Sequence, residues 1–327
     1  MTNYIKALIG LIVTIVLFWL LFRQIDLVLF LRYLADSNLF YVAAGMALYL
    51  FSFIVRGLRW RALLGHLKKI SLIESIRLVM AGYAVNNVLP SRIGEFTRAY
   101  LAGSRNGISR TAAFASIFVE RIFDGLTVFL ILAALLFTYP FPGWVRNLAE
   151  LAGIIFVSLF LFVLLSSFSD LPIRIVRAVS GRVPQWLAMP FDLLEKFLHG
   201  TRAIESLGQL ATVLILSFAV WTIEIGVYVL IVKAFGLDIP WIAYLLMLVT
   251  VNMGMLIPST PGGLGVFQFA VVKSLEIFAI VTTLGMAVSL VLHMAQIVPV
   301  TIIGLIWLWR NHISIATLEK EKGPAAD

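Results

Sequence analysis

Arg92, Glu95 and Arg98 stand three apart, so a helix resuming after Pro90 would align them on one face. Two guanidiniums around one carboxylate leave net positive charge. An arginine fork matches phosphate geometry and stays ionised at any physiological pH, while Glu95 would hold the forks in place or compete with the phosphate when the site is empty. The chemistry this suggests is recognition of an anionic lipid headgroup. The plainer alternative is an ion-pair cluster that anchors a helix end at a membrane interface.

A second group is Glu120, Arg121 and Asp124, with the two acids one helical turn apart and Arg121 placed to pair locally or reach another helix. Ionisable groups inside a span face the protein interior or a cavity, because facing lipid costs roughly 2.5–3.5 kcal/mol each; close to a span end they can instead snorkel to the interface. Glu224 is the deepest acid and has no basic residue near it in sequence, which makes it a candidate proton site. His293 could partner it, since imidazole titrates near neutral pH; the alternative is a histidine that hydrogen-bonds a neighbouring helix.

A third group carries no charge. Asn252, Ser259, Thr260 and glycines 262, 263 and 265 form a polar, proline-broken turn. Glycines let backbone amides approach a ligand closely, and a helix resuming after Gly265 would aim its positive end into the turn, as phosphate sites do. The same glycines could instead serve close helix packing. No P-loop, G-x-S-x-G elbow or H-E-x-x-H occurs, and His66, His199, His293 and His312 are too scattered for a metal site. Neither a cofactor nor a metal is expected.

The elements that must position these groups are membrane helices. Of 327 residues, 61% are hydrophobic and 13% charged, against roughly 45–50% apolar in soluble domains. Cysteine is absent, which removes disulfides and thiolate chemistry. The net charge of +8 falls mainly in short loops between apolar runs, so membrane topology explains it better than a nucleic-acid partner. No small-x-small cleavage site follows Phe22, so residues 4–22 read as a retained first span.

Further spans are expected at 39–55, 112–138, 150–168, 209–235 and 284–309. The loop after the second span, with Arg56, Arg59, Arg61, Lys68 and Lys69, should be cytoplasmic, which places the N-terminus there too. Residues 72–90 lie between two arginine-rich segments and therefore read as a re-entrant hairpin, with a full span as the alternative. Residues 241–257 and 264–281 read as a second hairpin, opened from the other side. Both hairpins turn at a Val-Asn…Pro-Ser…Gly…Phe echo, 85–96 against 251–267. Such breaks at bilayer depth must be buried or line a cavity, and in paired halves they point to a binding site. Residues 186–198 have apolar positions at helical spacing, which suits a helix on the membrane surface or one packed on the protein's own cytoplasmic face. The fold class is therefore an all-α polytopic membrane protein with about six full spans and two opposed re-entrant hairpins. It forms one domain over 1–327, with halves 1–140 and 141–310 and a cytoplasmic tail at 311–327.

Three ordered segments, N-N-V-L-P-S-R-I-G-E-F-T-R-A-Y-L (86–101), S-I-F-V-E-R-I-F-D-G (116–125) and I-P-S-T-P-G-G-L-G-V-F-Q (257–268), resemble the flippase-like transmembrane domain of lysylphosphatidylglycerol synthases. In bifunctional members that domain moves an aminoacylated phospholipid between leaflets, while a soluble domain makes it. Here the last expected span ends 18 residues before the final residue, so aminoacyl transfer is not implied. The resemblance places family motif positions on Asn87, Pro90, Arg92, Gly94 and Glu95, on Glu120, Arg121 and Asp124, and on Pro258, Pro261, Gly262, Gly263 and Gly265.

The expected function is transport of an anionic phospholipid or lipid-linked phosphate between plasma-membrane leaflets, without enzymatic activity. Arg92 and Arg98 would hold the headgroup, Glu95 would organise them, Glu120 and Asp124 would line the cytoplasmic entry, and the second turn would close the other side. Two alternatives stay open: a membrane enzyme acting on a lipid phosphate with Glu95 or Asp124 as base, and an accessory subunit of a membrane glycosyltransferase. Expected partners are the lipid itself, a second copy of the chain or such a transferase.

Overall fold

The computed structural model describes residues 3–89, 93–138, 143–180, 188–201, 204, 206–255 and 260–313, with side chains described for all of these except 3–10, 22, 143–148, 152, 188–190, 192 and 193. Every regular element among the described residues is helical. The order is α1 (Asn3–Phe22), α2 (Leu27–Asp36), α3 (Leu39–Leu64), α4 (Leu72–Val88), α5 (Ile93–Asn106), α6 (Arg110–Thr138), α7 (Gly143–Phe168), α8 (Leu171–Ser180), α9 (Ala188–Thr201), α10 (Leu207–Ala234), α11 (Trp241–Gly254), α12 (Val266–Glu276) and α13 (Thr282–Arg310). Helix starts follow short polar residues. Asp26, Asn38, Ser71 and Ser206 each accept a hydrogen bond from a first-turn amide of the helix they precede.

Among the described residues, five helices are long and apolar enough to cross a membrane: α3, α6, α7 from Ala149, α10 and α13. The first expected span coincides with α1, of which Leu11–Leu21 counts as a shorter apolar helix. The second expected span is corrected in length. No helix breaker other than Gly57 stands between Phe51 and Leu64, so α3 continues past residue 55, and Arg56 and Arg59 are buried helical residues rather than part of a basic loop.

The first expected hairpin, residues 72–90, is instead one continuous helix, α4, since no proline stands between Leu72 and Leu89, and the antiparallel pair it forms is with α5. The second expected hairpin, 241–257 with 264–281, is the antiparallel pair α11 and α12. In the first pair, Gly94 lies against Gly82 and Asn86, and Gly82 lies also against Arg98. A Cβ at Gly94 would collide with the Gly82 carbonyl, so only glycine allows this approach. The Gly94 N–H donates to Asn86 Oδ1 at 2.7 Å, which satisfies an orphan amide of the first turn of α5 from across the break. In the second pair, Thr250 Oγ1 meets Ser274 Oγ at 2.7 Å while Gly254 lies against Val266.

The eight helices α3–α6 and α10–α13 are packed as two like units. Exchanging α3, α4, α5, α6 with α10, α11, α12, α13 maps α4–α13 onto α6–α11, α3–α13 onto α6–α10, α3–α6 onto α10–α13 and each within-hairpin contact onto the other. The α3–α10 pair maps onto itself and runs antiparallel: Gly45 lies against Ile231, and Gln209 Nε2 donates to the Ala62 carbonyl at 2.8 Å. The short sequence echo at 85–96 and 251–267 therefore marks the same place in both units. The ends of the hairpins also meet, since Gly262 sits against Asn87 and Ile297.

Of the two readings for 186–198, packing on the protein itself is what α9 does. Gly200 seats against Ala112 and Ala115 of α6, and the Phe197 ring lies 5.7 Å from that of Phe118. Trp186 and Leu187 lie outside the described residues.

Candidate functional site

Helix α3 brings Arg56 and Arg59, one turn apart, into the middle of the bundle. Arg59 Nη1 donates to Asp124 Oδ1 at 2.6 Å and Ser217 Oγ at 3.1 Å, and its Nη2 donates to Glu120 Oε1 at 3.0 Å. Arg98 Nη2 donates to the other Glu120 oxygen at 2.5 Å, and the Arg98 guanidinium lies 3.8 Å above the centre of the Trp60 ring. Trp60 is itself fixed, its Nε1–H donating to Ser116 Oγ at 3.1 Å. Arg121 completes the cluster, 3.3 Å from Glu120, 3.2 Å from Asp124 and 3.6 Å from Glu95.

A second limb continues along α10. Arg56 Nη2 donates to Glu224 Oε2 at 2.8 Å and Nη1 to the Tyr83 hydroxyl at 2.8 Å, while Gln296 Nε2 donates to Glu224 Oε1 at 2.5 Å. Among the described residues the network thus holds four arginines, 56, 59, 98 and 121, and four carboxylates, 95, 120, 124 and 224. Opposite charges balance, so the ions can be buried together where single ones could not.

The expected headgroup fork is revised by this geometry. Arg92 lies outside the described residues. Arg98 is 2% exposed and committed to Glu120 and Trp60, so it is held inside the protein rather than offered to a ligand. Glu120 is fully buried between three arginines and lines no entry. The open edge belongs to Arg121 and Glu95, whose side chains are 32% and 23% exposed. Glu224 is not isolated. Its partner Arg56 is distant in sequence, and the run of Arg61, Lys68 and Lys69 that follows made Arg56 and Arg59 read as loop residues. The absence of proline between Phe51 and Leu64 is the local sign that the helix continues past residue 55, but nothing local places Arg56 and Arg59 inside the bundle.

His293 is not joined to Glu224. Its Nε2 contacts the Gly262 carbonyl at 2.9 Å and its Nδ1 the Gln268 amide nitrogen at 2.9 Å, with Phe267 stacked on the ring. The carbonyl must accept and the amide nitrogen must donate, which assigns a neutral imidazole protonated on Nε2. Gln268 Oε1 in turn accepts the Gly265 N–H at 2.7 Å. That amide, expected to face a phosphate, is therefore already used within the turn. Gly265, at φ 85°, packs its α-carbon on Thr14 of α1, and Thr260 Oγ1 meets Thr14 Oγ1 at 3.2 Å. Asn252 donates to the Leu248 carbonyl in its own helix at 2.8 Å, and Asn87 donates to Thr301 Oγ1 at 2.8 Å. Ser259 and Pro258 lie outside the described residues. No group of three or more metal-ligating side chains occurs among the described residues.

The family profile described as "Lysylphosphatidylglycerol synthase TM region" matches residues 7–304. Among curated proteins, the chain is 25% identical to a protein named Glycosyltransferase AglD of Haloferax volcanii, over all of this chain and 58% of that protein. It is 29% identical to a UPF0104 membrane protein of Methanothermobacter thermautotrophicus over 58% of this chain and 60% of the relative. A second such protein from the same organism is 24% identical over 84% of both chains. The chain spans about three fifths of the length of the first two of these relatives.

Proposed function

Because this chain belongs to the lysylphosphatidylglycerol synthase transmembrane family, we propose that it moves an anionic phospholipid or lipid-linked phosphate between the leaflets of the plasma membrane. The observation that carries this reading is the buried network of four arginines and four carboxylates. Buried ion pairs are weak sources of stability, and well-packed apolar residues do as well or better. Eight charges among membrane helices therefore point to polar cargo. The two like units around an antiparallel α3–α10 pair support the same reading, since paired units of opposite orientation allow access from each face in turn. In this reading the helix pairs α4–α5 and α11–α12 re-enter the membrane from opposite faces, and both chain ends are cytoplasmic. Energy comes from a lipid gradient or the proton motive force, with Glu224 as the candidate proton site.

A second reading draws on the full-chain similarity to a protein named as a glycosyltransferase. Here the chain would serve a membrane transferase as an accessory subunit and handle its lipid-linked phosphate.

The deciding experiment reconstitutes the purified chain into vesicles with fluorescent phosphatidylglycerol or phosphatidylcholine and follows leaflet exchange by membrane-impermeant quenching. Faster exchange of phosphatidylglycerol than in protein-free vesicles is expected. Exchange at the protein-free rate would overturn transport by the isolated chain, and co-purification with a transferase would then favour the subunit reading. Chemical conversion of the lipid would favour an enzyme.

A further inference from the structure

The arginines of the network are not held alike. Arg56, Arg59 and Arg98 each reach a carboxylate at 2.5–3.0 Å, and their side chains are at most 5% exposed. Arg121 has only contacts of 3.2–3.6 Å to its three acids. Its buried Nε has no hydrogen-bond partner among the described residues, a feature it shares with Arg59 and Arg98, so the length of its ion pairs and its exposure are what set it apart. The neighbouring Asp124 Oδ2 is likewise without a hydrogen-bond partner among the described residues. Arg121 is thus both the loosest-bound guanidinium and the most exposed of the four. The contact at its open edge is Glu95, the longest of the three, and among the described residues Arg121 is the one arginine that Glu95 meets.

A guanidinium has five N–H groups in a fixed fork, and a phosphate offers shorter and better-aligned acceptors than a carboxylate held 3.6 Å away. Glu95 lies on α5, just beyond the break that joins it to α4, whereas Glu120 and Asp124 are built into α6 beside Arg121. Exchange at Glu95 therefore leaves the inner ion pairs intact. The Tyr83 hydroxyl, 3.5 Å from Arg121 Nη2 and bonded to Arg56, stands beside the same edge.

We propose that Arg121 is the residue that receives the phosphate of the cargo and that Glu95 is the resident counter-ion the phosphate displaces. This rests on the lipid-transport reading and specifies its binding step. The ligand chemistry is a phosphate mono- or diester, carried by a lipid headgroup or free in solution.

The test measures binding of fluorescent phosphatidylglycerol in mixed micelles to the full chain and to Arg121→Gln, Glu95→Gln and the double variant, with a thermal unfolding curve for each. Losing a charge-assisted bond in Arg121→Gln should weaken binding about ten- to a hundred-fold. Freeing Arg121 in Glu95→Gln should tighten it about two- to five-fold, the scale of one part-exposed ion pair. The double variant should match Arg121→Gln. Inorganic phosphate competing as well as unlabelled phosphatidylglycerol would assign the site to phosphate itself, and competition by the lipid alone would assign it to a headgroup. Binding in Glu95→Gln no tighter than in the unsubstituted chain, or unchanged in a folded Arg121→Gln, overturns the exchange. Leaflet exchange keeps the two claims apart. A chain that moves lipid but shows no gain in Glu95→Gln refutes only the exchange, and the expected binding order without lipid movement refutes only transport.

Discussion

Replacing Glu120 by Gln should be the most damaging single change in the network, and the geometry says why. Among the described residues Glu120 is the sole acid paired with Arg98, and Arg98 is buried. Arg59 would keep Asp124, and Arg121 would keep both Asp124 and Glu95. Glu120→Gln therefore leaves one uncompensated buried cation, a loss of about 3–5 kcal/mol. The converse change is gentler: in Arg98→Met, Glu120 still faces Arg59 and Arg121, and the methionine stem can still cover Trp60. The double variant restores equal numbers of charges and should recover most of the loss seen in Glu120→Gln alone. Reversible unfolding of the purified chain in mixed micelles with increasing denaturing detergent gives the three free energies, and their cycle isolates the coupling. If Arg98→Met costs as much as Glu120→Gln, or if the double variant is no more stable than Glu120→Gln, charge compensation is not what holds this cluster together.

Gly94→Ala should separate α4 from α5 by pressing its methyl on the Gly82 carbonyl, costing about 1–3 kcal/mol; an unfolding midpoint equal to that of the unsubstituted chain would exclude this contact. His293→Phe keeps a ring against Phe267 but strands the Gly262 carbonyl and the Gln268 amide, so a loss of about 1–3 kcal/mol is expected in the same assay, whereas an unchanged midpoint would show that the turn holds without them. Outside the spans, the Arg177 hydrogen bonds from α8 hold the Glu195 carboxyl below its ordinary value. A carboxylate with a depressed folded value adds stability above its unfolded value and loses it as pH falls through the folded one. Glu195→Gln should therefore flatten a small part of the acid-side fall in melting temperature. Parallel pH profiles for both proteins would remove the pair from the account.

The helices and their breaks were legible because hydropathy and proline or glycine punctuation act locally. Span limits at α6, α10 and α13 fall within about two residues of those expected, and both proline-broken turns join helix pairs. Arg56 and Arg59 were not legible, because a basic run beside an apolar segment has the same local pattern whether it is a loop or the inner end of a long helix. What distinguishes the two is the position of Asp124, Glu120 and Glu224, some 61 to 168 residues away. The reach of Arg98 failed for a related reason. Its spacing from Glu95 put both on one helix, but only the packing of α5 on α6 decides that Arg98 points inward to Glu120 while Glu95 stays at the rim. His293 could be read as polar and buried, and its partner across the second turn could not.

The two units share a contact pattern but not a chemistry. The first unit supplies every charged residue of the network except Glu224, whereas the second closes its turn with neutral groups, Thr260 on Thr14, Gln268 on Gly265 and His293 on Gly262. A neutral turn can meet lipid or a neighbouring helix without a counter-ion. A charged one must stay paired or take on an anion. Glu224 reaches Arg56 across the antiparallel α3–α10 pair, so any relative movement of the two units acts on that ion pair and, through Arg56 and Tyr83, on the edge where Arg121 stands. If Arg121 receives the cargo as proposed, binding there and the packing of the units are linked through Glu224, Arg56 and Tyr83, beside a second route through Ser217, Arg59 and Asp124. Leaflet exchange should consequently fall in a folded Tyr83→Phe variant that leaves every charge in place; exchange at the full rate would exclude the route through Tyr83.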